Sequence, residues 1–313
     1  MIKTSKNIKE ILAAGLVWVN VSEQGTKELG EIGKRFSYDE QDIKESLPPF
    51  QRPKIVKRAE YLFMVLHFPV FDRETKRLGF TEIDFFLNAS QLVTVHNGKL
   101  APIDQFFDEC KKNAGSRDKY FSGTAVHITF ELLSRLLDAI FPILLHVNDD
   151  INLVDRKLFS KNVGGREMAE EILRLKTNIV TFRRTMQGHR TVLERLIMYS
   201  GRDLDLVSYQ SYINSIREFT NEIWNMLESQ KESINALHET NESLLGLRMN
   251  EVMKTLTVIS VITFPLTLMV ALFDFHAPSN PFIHMPGGFW LVASLVLWGA
   301  ILMYAMFKKR KWL

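Results

Sequence analysis

Asp274 and His276 stand two residues apart, directly after an uncharged run of aliphatic and aromatic residues. A carboxylate is a hard oxygen donor of the kind magnesium takes, usually through retained water. A neutral imidazole favours zinc, nickel, cobalt or copper. Protonated, it repels cations, and an ordinary histidine pKa of about 6.5 puts that change at moderately acidic pH. His284, further along the same segment, is a weaker metal candidate that could equally face solvent. Residue types of this kind could meet a cation, or simply mark the end of a helix.

A cation met there needs a path through a membrane, and the neighbouring sequence supplies two spans. Leu256 to Phe273 and Phe289 to Phe307 contain no charged residue. At roughly 18 and 19 residues, each nearly crosses a hydrocarbon core of about 30 Å. Arg248 and Lys254 precede the first span, and Lys308, Lys309, Arg310 and Lys311 follow the second. The link from Asp274 to Gly288 has no lysine or arginine. The positive-inside rule then puts both termini in the cytoplasm, with Trp290 and Trp312 near the two interfaces. A multi-pass protein of the plasma membrane is expected, since no secretory signal or organelle transit peptide is visible.

The first span carries Thr255, Thr257, Ser260, Thr263 and Thr267, with Pro265 among them. Hydroxyls in a span either bond the helix's own carbonyls or line water. One stripe at three-four spacing runs Met253, Leu256, Ser260, Phe264, Thr267, Ala271, Asp274. Two helices cannot enclose a pore, so a water-lining stripe requires a ring of several copies.

The rest of the chain must position these spans. Its 313 residues are 46% hydrophobic and 24% charged, enough for a soluble domain beside the spans. Gly15 to Val21, Tyr61 to Phe71 and Phe80 to Gly98 read as strands, the last split into a hairpin at Asn88-Ala89-Ser90. Leu47 to Pro53 reads as a loop, and "IDQFFDECKK" as a helix. From Gly123 the pattern is helical, with Pro142 as a kink and Asn162 to Gly165 as a break. A second long helix follows, ending near Gly201. A third starts near Asp203 or Asp205 and meets no proline until Pro265. Unbroken into the first span, it covers about 70 residues and about 105 Å. The fold class is therefore an α+β cytoplasmic domain of α/β layers, long stalk helices and a C-terminal two-helix membrane hairpin. The boundaries fall at 1–120, 121–254 and 255–313, with the outer loop at 274–288.

Several function classes are excluded. The net charge of +3 is small and partly concentrated in "FKKRKWL", so nucleic acid is not an expected partner. The single cysteine, Cys110, permits no internal disulfide. No P-loop, dinucleotide fingerprint or H-E-x-x-H motif appears, so no enzyme and no resident cofactor is expected. His127, His146, His189 and His238 lie apart on predicted helices. Asp149-Asp150 and Glu170-Glu171 read as solvated helix faces or as a cation site between subunits.

"NEVMKTLTVISVITFPLTLMVALF" (Asn250 to Phe273), "HMPGGFW" and "FKKRKWL" resemble the C-terminus of CorA-type divalent cation transporters. The resemblance implies a funnel-shaped homopentamer whose first spans line the pore, with the second spans outside. It implies a pore lining of Asn250, Met253, Leu256, Phe264 and Thr267, with methionine and leucine rings gating by dewetting. Relatives carry Tyr-Gly-Met-Asn after the first span, where this chain has Phe273-Asp274-Phe275-His276. Asp274, Phe275 and His276 thus stand in place of Gly-Met-Asn as the selectivity entrance. Five copies of Asp274 would draw cations to the mouth. Gly287-Gly288 replaces an acidic residue common in relatives after Met-Pro. Ser215 falls at a carboxylate position of the family's cytosolic regulatory site, which puts magnesium-sensed closure in doubt.

The expected cargo is magnesium or cobalt, with zinc or nickel admitted by His276; the expected partners are the bilayer and other copies of the chain. Two alternatives stand beside this reading. One is a ZntB-like zinc transporter, perhaps proton-coupled. The other is a membrane scaffold or regulatory protein that does not conduct.

Overall fold

The computed structural model describes residues 7–23, 25–159, 165–199, 209–274 and 287–310. It divides into two compact units, Met1–His238 and Glu239–Leu313.

The first unit is built on one six-stranded sheet: β1 (Ile8–Ala13), β2 (Leu16–Val21), β3 (Lys54–Lys57), β4 (Leu62–Asp72), β5 (Arg77–Leu87) and β6 (Gln91–His96). The strand order is β1-β2-β6-β5-β4-β3. β2 and β6 pair in parallel; every other pairing is antiparallel. The split predicted at Asn88-Ala89-Ser90 is the β5–β6 turn, where Asn88 Oδ1 accepts from the Ser90 and Gln91 amides at 2.9 and 2.8 Å.

Alternation along the strands sends side chains to two faces, and both are covered. On one, Val19, Val21, Phe63, Val65, Phe86, Val93 and Val95 pack with Leu29 and Ile32 of α1 (Thr26–Phe36) and Ile43 of α2 (Glu40–Glu45). On the other, Trp18 meets Phe106 and Phe107 of α3 (Ala101–Lys112) at ring separations of 5.2 and 4.9 Å. Three layers result; the sequence led to an expectation of α/β layers without their number.

The helices follow as α4 (Ala114–Phe121), α5 (Ala125–Asp138), α6 (Phe141–Leu158), α7 (Gly165–Met198), α8 (Gln210–Asp274) and α9 (Gly288–Lys309). Pro142 is not a kink within one helix. It lies in the first turn of α6, after a break at Ala139–Ile140, where its missing N–H costs nothing. The expected break at 162–165 falls mostly outside the described residues, as does the predicted start of the third long helix at Asp203 or Asp205. From Gln210 that helix runs unbroken for 65 residues, with Pro265 inside it. It contributes to both compact units.

Candidate ion pathway along the first membrane span

The second unit contains the C-terminal part of α8 and the whole of α9, both long and apolar enough to cross a membrane. Leu266 and Gly299 meet across them: a Cβ built on Gly299 lies 3.5 Å from Leu266 Cδ2. Among the described residues of the two spans, the best-covered side chains are Val258 and Phe307, 4% and 7% exposed. They stand one step of eight residues away from Leu266 and Gly299, in opposite chain directions, as antiparallel helices in contact require. Along α8 the covered line is Val258, Ile262, Leu266, Met269; along α9 it is Val292, Val296, Gly299, Met303, Phe307. Small and slender residues at such a seam let helices approach.

The stripe read from the sequence lies on the far side of α8. At about 100° per residue, Met253, Leu256, Ser260, Phe264, Thr267 and Ala271 centre roughly 165° away from the line that touches α9. Met253, Leu256 and Phe264 are 53%, 55% and 73% exposed in the single chain. Thr267 and Ala271 are also exposed, and Ser260 is half-buried. Asn250 is exposed but sits roughly 80° from the centre of the stripe, at its edge. Exposure alone does not distinguish this face from one that meets lipid. The contact with α9 leaves this face uncovered in the single chain.

Three of the five hydroxyls take the first of the two roles weighed from sequence. Thr255, Thr257 and Thr267 donate to the carbonyls of Glu251, Met253 and Thr263 at 2.9, 2.7 and 2.9 Å. Each is satisfied within its own helix. Among the described residues, Ser260 makes no such bond, so it is the stripe's uncommitted hydroxyl.

Asp274 is the last residue of α8. Phe275, His276 and His284 lie outside the described residues. Among the described residues, no group of three or more histidine, cysteine, aspartate or glutamate side chains is placed to hold a metal ion.

The acidic runs of the first unit are tied by arginines. Arg174 Nη2 donates to Asp150 at 3.0 Å and to Glu171 at 2.7 Å, and Arg166 pairs with Glu170 at 2.9 Å. The guanidinium of Arg174 holds the Glu171 carboxyl below its usual range, chiefly through this hydrogen bond. The Ser215 hydroxyl donates to the Ser211 carbonyl at 3.1 Å. His127 shares a hydrogen bond with Tyr212 at 3.2 Å, and His146 meets the Phe71 ring at 4.9 Å.

Asp84 escaped the sequence reading, and the depth of burial of His189 was not foreseen. Asp84, on β5, is fully buried, and neither carboxyl oxygen has a partner at hydrogen-bonding geometry. Burial, reinforced by the nearby Glu82, pushes its pKa well above the ordinary value of 3.8. Ser46 and Lys54 relieve this in part, though the Ser46 hydroxyl donates to the Asp42 carbonyl at 3.2 Å. Glu82 accepts from the Gln51 amide at 2.5 Å. Two acids at i and i+2 in an otherwise apolar strand were the available signal. His189, on α7, lies edge-on to Phe68 at 4.8 Å and is 1% exposed. Burial brings its pKa down to about 4.

The CorA-like Mg2+ transporter protein family model matches residues 13–309. The chain belongs to that family. CorA-family proteins are membrane transporters of divalent cations, not enzymes. The chain is 25% identical over 301 residues to the cobalt/magnesium transport protein CorA of Thermotoga maritima, covering 95% of this chain and 83% of the relative. It is 25% identical over 305 residues to the putative metal ion transporter YfjQ of Bacillus subtilis, covering 94% and 89%. The complete structure of the CorA magnesium transporter from Methanocaldococcus jannaschii superposes with a TM-score of 0.82 at 19% identity, covering 97% of this chain and 94% of that one. The Vibrio parahaemolyticus ZntB cytoplasmic domain shares the fold more distantly, with a TM-score of 0.60 at 9% identity over 79% of this chain and 92% of that one. These structural likenesses establish a CorA fold: a soluble α/β domain, a long helix and a C-terminal membrane helix.

Proposed function

We propose that this CorA-family protein carries magnesium or cobalt across the plasma membrane through a pore made by five copies of the chain. Met253, Leu256, Ser260, Phe264, Thr267 and Ala271 line it, with Asn250 at its inner edge. The observation that carries this reading is the position of the stripe on the side of α8 opposite the Leu266–Gly299 contact. With α9 on one side of each first span, the free sides are left to converge on an axis, as a closed ring requires. The apolar Met253 and Leu256 rings gate by excluding water. The magnesium and cobalt assignment draws on the likeness to the cobalt/magnesium transport proteins of Thermotoga maritima and Methanocaldococcus jannaschii.

Asp274, Phe275 and His276 form the outer entrance. Five carboxylates concentrate cations there, and the imidazoles tune which cation passes and at what pH. Both termini are cytoplasmic, on the strength of Lys254 before the first span and Lys308, Lys309 and Arg310 after the second. The functional divisions are a cytoplasmic α/β domain (1–120), a helical stalk (121–254) and the membrane domain (255–313).

The test is uptake of magnesium, cobalt, nickel and zinc into proteoliposomes at two external pH values, for wild type, Asp274→Asn and His276→Ala. Magnesium or cobalt flux that Asp274→Asn abolishes supports the entrance. Zinc or nickel flux without magnesium, lost in His276→Ala, would replace it with a histidine-tuned transition-metal route. No flux from verified pentamers would leave a non-conducting scaffold.

A further inference from the structure

The first unit contains a groove of about 790 Å³, separate from the membrane spans. Its floor is apolar: Phe68 and Ile140, 1% and 2% exposed, with Phe71 beside them. Its rim is cationic. Arg73 and Lys76 come from the β4–β5 turn, and Lys99 from the connection into α3. No carboxylate lines it. Among the described residues, none of the three cations is engaged in an ion pair. Lys76 acts on Glu171 only through space, and that carboxylate is already held by Arg174.

The rim is held in place by α7. Arg174 Nη1 and Asn178 Nδ2 both donate to the Lys76 carbonyl, at 2.8 and 2.9 Å, while Asn178 Oδ1 accepts from the Leu78 amide at 3.0 Å. Lys76 itself has a φ of 52°, a left-handed conformation that these bonds fix. The long helices α3 and α6 also both begin at this groove, each without a side-chain cap. Proline in each first turn removes one donor, so these ends contribute their positive dipoles more than a fork of N–H groups. The α3 dipole has the sign of the charges, while that of α6 is offset by the C-terminus of α5, which ends at Asp138 beside it.

We infer that this groove is a binding site for a phosphate monoester attached to an apolar body, either a nucleotide or the phosphate end of a lipid-like chain. The volume lies in the range of small-ligand sites. The apolar floor selects against a free inorganic ion, whose hydration it cannot replace. Three cations around one rim match a group that carries nearly two negative charges at neutral pH. The site is independent of the transport reading, since it uses none of the residues of the ion pathway.

The test is titration calorimetry on the full-length protein in nanodiscs, with adenosine monophosphate, hexyl phosphate and inorganic phosphate as probes. At least one organic phosphate is expected to bind at least about tenfold more tightly than inorganic phosphate. Preference for adenosine monophosphate identifies a nucleotide site; preference for hexyl phosphate identifies a lipid phosphate site. The combined R73E, K76E and K99E variant should weaken binding by at least about tenfold, since a charge-assisted contact contributes that much. Ala139→Trp, which fills the groove and leaves its charges intact, should weaken it comparably; unchanged thermal melting checks that each variant is folded. Failure of both organic phosphates to bind at millimolar concentration would overturn the inference. So would affinity that neither variant changes. Lys99 acylated at one rate with and without organic phosphate, but protected by subunit assembly, would assign the groove to a neighbouring copy instead.

Discussion

Leu266 of α8 lies within van der Waals reach of the hydrogen face of Gly299 on α9, so that a methyl group added there would touch it at 3.5 Å. That distance is an ordinary contact and not a clash. Gly299→Ala should therefore be tolerated, with a melting temperature equal to or above wild type, because alanine is the better helix former. Gly299→Leu extends further into Leu266 and should force the helices apart, at about 1–3 kcal/mol. Thermal melting of the purified protein in detergent checks both. A leucine variant as stable as the alanine variant would mean that the helices do not pack at this point.

Leu256 and Trp298 are both exposed in the single chain, at 55% and 67%, but they lie on different helices and face different surroundings in the proposed assembly. Leu256→Ser should wet the constriction and raise basal cation flux by about threefold or more. Trp298→Leu, directed away from the α8 seam, should leave flux within about twofold of wild type. Proteoliposome uptake of the two variants separates the pore face from the lipid face. Equal effects would remove the distinction.

Asp84 makes the folded protein bind a proton more tightly than the unfolded chain does, since burial raises its pKa. Between the unfolded and folded values the native state holds the extra proton, so this residue's contribution falls as pH rises from about 4. Asp84→Asn keeps the shape and removes the ionisation. The variant should be more stable than wild type at pH 8, with the gap closing toward pH 4. Melting temperatures across that range give the answer, and a variant less stable at pH 8 would show that a partner holds the ionised carboxylate.

His189 acts in the opposite direction. Its folded pKa of about 4 is depressed by burial and, to a smaller degree, by His67; the Thr185 backbone offsets only part of this. The unfolded chain takes up this proton first, so the stability it controls is lost as pH falls from about 6.5 toward 4. The full loss is on the order of 3 kcal/mol. His189→Phe keeps a ring against Phe68 and should flatten that part of the profile. A wild-type slope that survives the substitution would place the acid sensitivity elsewhere.

The membrane hairpin was legible because its signals are compositional: long uncharged runs, flanking cations, and a three-four stripe that a helix must put on one side. The hairpin β5–β6 was legible from Asn88 and Ser90 for a similar reason, since the turn chemistry is local. α1 was missed because Gly30 and Gly33 weaken its helical signal. Tertiary packing makes the second of them necessary, as a Cβ at Gly33 would lie 2.9 Å from Ile43 Cγ1. β1 was missed because Lys9 and Glu10 interrupt its apolar pattern; each is instead held by a partner, Asp104 at 3.3 Å and Arg35 at 2.5 Å. Pro142 was misread because proline permits both a kink and a helix start, and only the break at Ala139–Ile140 chooses. The basic groove was beyond reach for a different reason: Arg73, Lys76 and Lys99 come together only when the sheet forms.

Pro265 sits within the span that the stripe follows. Having no N–H, it leaves the Val261 carbonyl without its usual partner one turn later. The helix is consequently most compliant there. Bending at any other point of the span must stretch an intact bond; at Pro265 that bond is already absent. The segments on either side can therefore tilt with respect to each other, so that Phe264 and Thr267 can change their separation from the axis while Met253 and Leu256 keep theirs. A pore built from such spans has one stiff end and one adjustable end.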